Sequence, residues 1–95
     1  MGKVFLVGAG PGDSELLTVK ALRLLRSANI VVHDSLVSPE ILDLISTQAQ
    51  RIDVGKRRGF RLLSQGDINS LLVASAASHE IVVRLKGGDP MLFGR

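Results

Sequence analysis

The 95-residue sequence contains no cysteine, tryptophan or tyrosine, and it has only three phenylalanines. The absence of cysteine excludes a disulfide framework and a thiolate metal site, and it is consistent with a reducing compartment. Hydrophobic residues make up 45% of the chain and aromatic residues 3%, so we expect an aliphatic core and no general disorder. No apolar run approaches the ~20 residues of a membrane-spanning helix.

The charge balance is only mildly basic, at 12 Lys and Arg against 9 Asp and Glu, for a net charge of +3. A polyanionic small molecule suits this charge, and so does weak contact with nucleic acid. The N-terminal residues 1–4 lead directly into a strand-like run and lack the architecture of a signal peptide. The length suffices for one small domain. These features together predict a soluble cytoplasmic protein.

Strand-like and helix-like segments alternate along the chain. Short apolar, β-branched runs predict strands at residues 4–7, 30–32, 51–54 and 80–85. Helical spacing of apolar residues predicts helices at 15–27, at a short segment opened by Pro39, and at a segment headed by Ser64. Such alternation indicates right-handed βαβ crossovers. The sequence therefore predicts an α/β domain of three layers, with helices on both faces of a mainly parallel sheet of about four to five strands.

Two of the predicted helices begin with capping signals. Asp13 or Ser14 is placed to cap the first turn of the first helix. Ser64 and Asp67 resemble a capping box in which the acidic residue is shortened. Both patterns predict where a helix begins.

The loop Gly8-Ala9-Gly10-Pro11-Gly12-Asp13 follows a predicted strand and opens a helix, as a dinucleotide-binding fingerprint would. Two residues argue against that function. Asp13 stands where the fingerprint needs glycine, and it occupies the helix N-terminus that would bind a pyrophosphate. Pro11 removes a backbone donor. The loop therefore favours a ligand that approaches the main chain and carries no phosphate. A plain tight turn that binds nothing is the alternative. A nicotinamide-dependent oxidoreductase is disfavoured.

Asp34 follows three buried apolar residues at the C-terminal end of the second predicted strand. Ligands of parallel sheets bind at such ends, so this is where a general base would lie. A capping or turn role fits the same position. His33 is interpreted as structural, because no metal-ligand spacing surrounds it, and no metal site is predicted.

A compact basic loop follows the third predicted strand, with Lys56, Arg57, Arg58 and Arg61 close to Phe60. Nucleic-acid-binding surfaces usually spread positive charge over a face and add stacking aromatic residues. This chain has neither Tyr nor Trp, so a small polyanion is the better partner. A solvated surface loop is the alternative.

A second glycine loop follows the fourth predicted strand, as Gly87-Gly88-Asp89-Pro90. Paired glycines allow a ligand to lie against the main chain. The Asp89 carboxylate can accept hydrogen bonds from a hydroxyl or an amino group. A turn that binds no ligand is the alternative.

Taken together, these segments resemble the tetrapyrrole methylase family over the entire chain, in the family's order and spacing. The segments that carry the resemblance are residues 7–13, 16–21, 32–38, 54–57, 65–72, 83–90 and 93–95. Within the family, Asp34-Ser35-Leu36-Val37 and Gly55-Lys56-Arg57 are most similar to members that methylate uroporphyrinogen III at carbon. Arg61 departs from the pattern, because family members often carry histidine there.

The resemblance implies a two-domain enzyme with S-adenosylmethionine in the cleft between the domains, and a homodimer at full length. Residues 1–95 would be the N-terminal α/β domain, truncated and inactive alone, with the C-terminal domain absent. By position, the residues that match cofactor contacts are Pro11, Gly87, Gly88, Asp89 and Leu92.

The resemblance also implies catalytic and substrate-binding roles. Asp34 matches the proposed proton acceptor and Lys56 the proposed proton donor. Arg57, Arg58 and Arg61 would pair with the carboxylates of a tetrapyrrole substrate. The implied reaction is methylation of uroporphyrinogen III to precorrin-2, towards sirohaem or cobalamin, with no nucleic-acid or membrane partner. A methylase acting on another precorrin and a folded fragment that binds nothing are the alternatives.

Overall fold

The computed structural model describes residues 2–10, 12–55 and 64–87. The strands are β1 (Lys3–Gly8), β2 (Ile30–His33), β3 (Gln50–Asp53) and β4 (Ile81–Lys86). A 3₁₀ turn spans Ser14–Leu16, and the helices are α1 (Val19–Ser27), α2 (Pro39–Leu42) and α3 (Gln65–Ser78). The predicted alternation of strands and helices is confirmed.

Within the described residues, a four-stranded sheet has the order β1-β4-β2-β3, and all three strand pairs are parallel. The pairing of β1 with β4 ends at Gly8 opposite Lys86, and that of β2 with β4 ends at His33 opposite Leu85. The predicted parallel sheet is confirmed. Parallel strands end at the same edge of a sheet, and β4 lies between β1 and β2. The segment that follows β4 therefore lies between the segments that follow β1 and β2.

Apolar side chains cover both faces of the sheet, in two separate clusters. On one face, Val31 of β2 and Leu85 of β4 pack with Leu25 of α1 and Ile41 of α2. On the other face, Val32 of β2 packs with residues of α3. All four residues of β2 are buried, as expected of a parallel strand covered on both sides. The predicted three layers and the aliphatic core are therefore confirmed.

The first helix begins later than residue 15, where the sequence pattern placed its start. Asp13 caps only the 3₁₀ turn, where its side chain accepts a hydrogen bond from the Glu15 amide at 2.9 Å. Leu17 is extended, with ψ of 139°, and Thr18 Oγ1 then accepts from the Ala21 amide at 3.0 Å. The predicted cap at Asp13 or Ser14 was wrong for α1, because the Thr18 hydroxyl satisfies an amide of its first turn.

The capping box predicted at the start of α3 is present. Ser64 Oγ accepts from the Asp67 amide at 3.1 Å, and Asp67 Oδ2 accepts from the Ser64 amide at 3.2 Å. Both contacts satisfy amides that the first helical turn leaves without a partner.

We expect Ser64→Ala to lower the free energy of unfolding by about 1 kcal/mol, because the first turn of α3 loses its cap. Ser70→Ala is the matched control, since Ser70 is exposed in the middle of the same helix and alanine favours a helix interior. Urea unfolding of both variants measures the difference. Equal stabilities of the two variants would contradict a stabilising role for the capping box.

None of the helices in the described ranges is long and apolar enough to cross a membrane.

Candidate functional site

The carboxyl ends of the strands meet at one edge of the sheet, where the main chain continues the strand pairing. The Ala9 amide, directly after β1, donates to the Lys86 carbonyl at 2.8 Å. The Val54 amide, directly after β3, donates to the His33 carbonyl at 2.8 Å. Ligands of open parallel sheets bind beyond this edge, so the segments that follow the strands form the candidate site.

The Asp34 carboxylate joins the segments that follow β2 and β4. Its Oδ1 accepts from the Leu36 amide at 2.9 Å, which closes a turn after β2. The Gly87 amide donates to both carboxylate oxygens at 3.4 Å. These contacts bring together one residue predicted to transfer a proton and one predicted to bind the cofactor. A carboxylate can accept about four hydrogen bonds, so Asp34 keeps acceptor capacity for a ligand.

Gly87 is buried against the main chain of the segment that follows β2. A Cβ atom at Gly87 would lie 2.5 Å from the Leu36 carbonyl carbon and 2.6 Å from the Val37 amide nitrogen. Neither backbone atom can move aside as the end of a flexible side chain could. A side chain at position 87 would therefore separate the ends of β2 and β4.

Gly55, the last described residue before the basic loop, lies against Ser35. A Cβ atom at Gly55 would be 2.6 Å from the Ser35 amide nitrogen. The Gly55 amide donates to Asp53 Oδ1 at 2.8 Å, which fixes the exit of the chain from β3. Gly55, the residue that precedes Lys56 in the sequence, is therefore packed beside the chain neighbour of Asp34.

The glycine loop after β1 contains two residues in the left-handed region, Gly10 with φ of +66° and Gly12 with φ of +109°. Residues other than glycine rarely adopt these backbone angles. Among the described residues, and apart from the chain neighbours, no heavy atom lies within 4 Å of a Cβ position built on Gly8 or Gly10, so the main chain is open to a ligand on that side.

Two side chains at the start of α2 hold the far end of this glycine loop. Ser38 Oγ donates to the Gly12 carbonyl at 2.9 Å and accepts from the Ile41 amide at 3.3 Å. Glu40 Oε1 accepts from the Ser14 amide at 3.0 Å. The first turn of α2 is thus bonded to the loop after β1.

The buried polar side chains near this edge have partners within the protein. His33 is 7% exposed, and its Nδ1 lies 3.0 Å from the Asp34 carbonyl oxygen, in agreement with the predicted structural role. Arg84 is 6% exposed, and its Nη1 donates to the Leu85 carbonyl at 3.1 Å. Among the described residues, no cluster of His, Cys, Asp or Glu could hold a metal ion.

Of the residues predicted for the site, the structure describes Asp34 and Gly87 and brings them together. The others lie outside the described residues: Pro11, Lys56, Arg57, Arg58, Arg61, Gly88, Asp89 and Leu92.

The sequence did not predict that Ser38 and Glu40 would bond to the loop after β1. A serine before proline is a recognisable signal for a helix cap. No sequence signal indicates that the Ser38 hydroxyl also donates to a carbonyl 26 residues earlier, because that contact depends on the tertiary fold.

A groove of about 260 Å³ lies between β1 and α1, and its lining includes Phe5, Leu24, Lys20 and, at the end of β1, Gly8. Neither Asp34 nor Gly87 lines this groove, and its lining offers no carboxylate. The groove therefore adjoins the candidate site at Gly8 but contributes no proton acceptor to it.

Residues 3–95 match the family model of the tetrapyrrole (corrin/porphyrin) methylases. The chain is 56% identical over 94 residues to a siroheme synthase of Nitrosococcus oceani, an alignment that covers 99% of this chain and 20% of the relative. It is 59% identical to a siroheme synthase of Baumannia cicadellinicola, with 100% of this chain and 21% of the relative covered. The chain thus spans about a fifth of the length of these relatives.

Solved structures show the same similarity in three dimensions. Uroporphyrin-III C-methyltransferase from Thermus thermophilus, complexed with S-adenyl homocysteine, superposes with a TM-score of 0.75 at 50% identity, covering 99% of this chain and 36% of that one. A cobalt precorrin-4 methyltransferase superposes with a TM-score of 0.77 at 29% identity, covering 96% and 36%. The predicted fold is therefore confirmed by structures about three times as long as the chain.

Proposed function

The chain belongs to the tetrapyrrole (corrin/porphyrin) methylase family, and we propose that it is the N-terminal α/β part of a longer methyltransferase, the intact enzyme. The intact enzyme transfers a methyl group from S-adenosylmethionine to carbon atoms of uroporphyrinogen III and forms precorrin-2. The contact of the Asp34 carboxylate with the Gly87 amide is the observation that supports this proposal most, because the residue proposed to accept a proton touches a residue proposed to bind the cofactor.

The residues at the sheet edge fit S-adenosylmethionine as the cofactor. The main chain of Gly8 and Gly10 is open, so a ligand can approach it closely, and the Asp34 carboxylate can stabilise nearby positive charge. Pro11, Gly88, Asp89 and Leu92 would complete the contacts on this side, as the resemblance implies. When bound, the cofactor supplies a methyl group on a positively charged sulfur atom.

In this proposal the protein contributes alignment and proton transfer. Holding a reactive carbon of the substrate in line with the methyl group can lower the barrier by up to ~7–11 kcal/mol. Asp34 accepts the proton that the methylated ring system releases, and Lys56 supplies the compensating proton. Arg57, Arg58 and Arg61 bind the acetate and propionate groups of the substrate, since guanidinium–carboxylate pairs fix orientation.

The packing of Gly55 supports a shared site for Asp34 and Lys56. Gly55 immediately precedes Lys56 and lies against Ser35, which immediately follows Asp34. Asp34 and Lys56, the two proposed proton-transfer residues, are thus each one residue away in the sequence from a pair that is in contact, Ser35 and Gly55.

A label-transfer assay tests the proposed reaction. The intact enzyme, incubated with methyl-labelled S-adenosylmethionine and uroporphyrinogen III, should place label in the tetrapyrrole product. Absence of label in every tetrapyrrole offered would contradict the proposal. Label in a precorrin but not in uroporphyrinogen III would favour the second candidate, a methylase of another precorrin, which the similarity to cobalt precorrin-4 methyltransferase supports.

The proposal also includes a homodimer, as the family resemblance implies, and a cytoplasmic location without a nucleic-acid or membrane partner, as the sequence predicts. Light scattering on the purified intact enzyme measures its mass in solution. A mass of one subunit would contradict the dimer and leave the proposed reaction untouched.

A further inference from the structure

We propose that the first turn of α2 is a positioning element for S-adenosylmethionine, in which Ser38 and Glu40 hold the glycine loop after β1 in its binding conformation. This inference rests on the proposed function, because the loop conformation matters for binding only if the loop contacts the cofactor. Neither side chain is proposed to touch the cofactor. Both would act through the main chain of Gly12 and Ser14.

The glycine loop needs such a restraint because of its own composition. Gly10 and Gly12 both have positive φ, and glycine populates positive and negative φ about equally when it is not restrained. A ligand that binds such a loop must first order it, and that ordering weakens binding. Contacts that already hold the loop remove part of this cost.

The restraint on the glycine loop acts at both of its ends. At the start, the Ala9 amide donates to the Lys86 carbonyl at 2.8 Å, which joins the loop to β4. At the far end, the Gly12 carbonyl accepts from Ser38 Oγ at 2.9 Å and the Ser14 amide donates to Glu40 Oε1 at 3.0 Å. Of these three contacts, the two at the far end use side chains, so mutation can remove them selectively.

Ser38 has two separable roles. Its hydroxyl accepts from the Ile41 amide as the cap of α2 and donates to the Gly12 carbonyl. Aspartate is as good a helix cap as serine, but an ionised carboxylate has no hydrogen to donate. Ser38→Asp therefore keeps the cap and breaks the contact with the loop, whereas Ser38→Thr keeps both a donor and an acceptor.

Glu40 provides an independent pair of variants. Glu40 is exposed, so its replacement leaves the core intact. Glu40→Gln keeps a side-chain oxygen that can accept from the Ser14 amide, and Glu40→Ala removes it. The pair thus tests the same restraint without altering the helix cap.

The experiment measures the Kd of S-adenosylhomocysteine by calorimetry, together with kcat, both KM values and Tm, on the intact enzyme and these four variants. We expect Ser38→Asp and Glu40→Ala to raise the Kd and the KM of S-adenosylmethionine by about three- to tenfold, the range of one hydrogen bond. The KM of the tetrapyrrole and kcat should stay near those of the unmutated enzyme. Ser38→Thr and Glu40→Gln should bind within about twofold of the unmutated enzyme.

Two results would overturn the positioning role. One is unchanged Kd in both Ser38→Asp and Glu40→Ala, which would leave Ser38 as a helix cap only. The other is an equal loss of affinity in the conservative variants, which would point to altered packing. Should Ser38→Asp fail to fold, the Glu40 pair alone decides between these outcomes. Failure of the unmutated intact enzyme to bind S-adenosylhomocysteine would instead contradict the proposed function.

Discussion

Gly87→Ala is expected to destabilise the chain strongly, by about 3 kcal/mol or more, at the upper end of the cost of inserting a methyl group into a packed interior. The added Cβ atom would lie 2.5 Å from the Leu36 carbonyl carbon and 2.6 Å from the Val37 amide nitrogen. Relief requires movement of the main chain after β2 or β4. Such movement also weakens the contact between the Gly87 amide and the Asp34 carboxylate.

Thermal unfolding measures this effect, with an expected fall in Tm of roughly 12 °C or more for a domain of this size. Gly66→Ala is the matched control, because its methyl group would lie 3.7 Å from Ser64 Oγ, in ordinary van der Waals contact. Removing a glycine from a helix should raise stability by roughly 0.4–1 kcal/mol. If Gly87→Ala and the unmutated chain had the same Tm, the segments that follow β2 and β4 would not be in contact.

In the intact enzyme, Asp34→Asn is expected to lower kcat by about 10²- to 10⁴-fold, the usual contribution of a general acid or base. Asparagine keeps a side-chain oxygen that can accept from the Leu36 amide, but it cannot take up a proton at neutral pH. The Kd of S-adenosylhomocysteine should stay close to that of the unmutated enzyme, because the turn after β2 is preserved.

Asp34→Ala separates the chemical role from the structural one. Alanine loses the proton acceptor and also leaves the buried Gly87 amide without its carboxylate partner, an unsatisfied donor that costs roughly 1–3 kcal/mol. We therefore expect this variant to lose both turnover and thermal stability. Near-normal turnover of Asp34→Asn would contradict the base role and leave Asp34 as the residue that joins β2 to β4.

The architecture was predictable from the sequence because its signals are local. The β-branched runs around Val31 and Val83 and the helical spacing around Leu72 specify elements before any contact between them is known. The start of α1 was not predictable in the same way. Three polar side chains, Asp13, Ser14 and Thr18, compete for nearby amides, and only the folded chain decides that Thr18 caps the helix.

The candidate site was predictable as a place, since the carboxyl ends of parallel strands meet at one edge. Its internal contacts were not. Gly87 was singled out because glycine admits a ligand, whereas the structure shows that it also admits the main chain of Leu36 and Val37. The contact of Ser38 with Gly12 depends on how α2 packs beside the loop after β1, and neither residue signals the other in the sequence.

Calorimetric titration of S-adenosylhomocysteine decides whether this sheet edge is one half of an S-adenosylmethionine site, as we propose. The 95-residue chain and the intact enzyme would be titrated side by side. We predict that the intact enzyme binds and that the 95-residue chain shows no measurable binding, because in the proposed two-domain enzyme the other domain would supply the remaining contacts. No binding by the intact enzyme would contradict the claim and would leave the Gly87 segment as a structural turn.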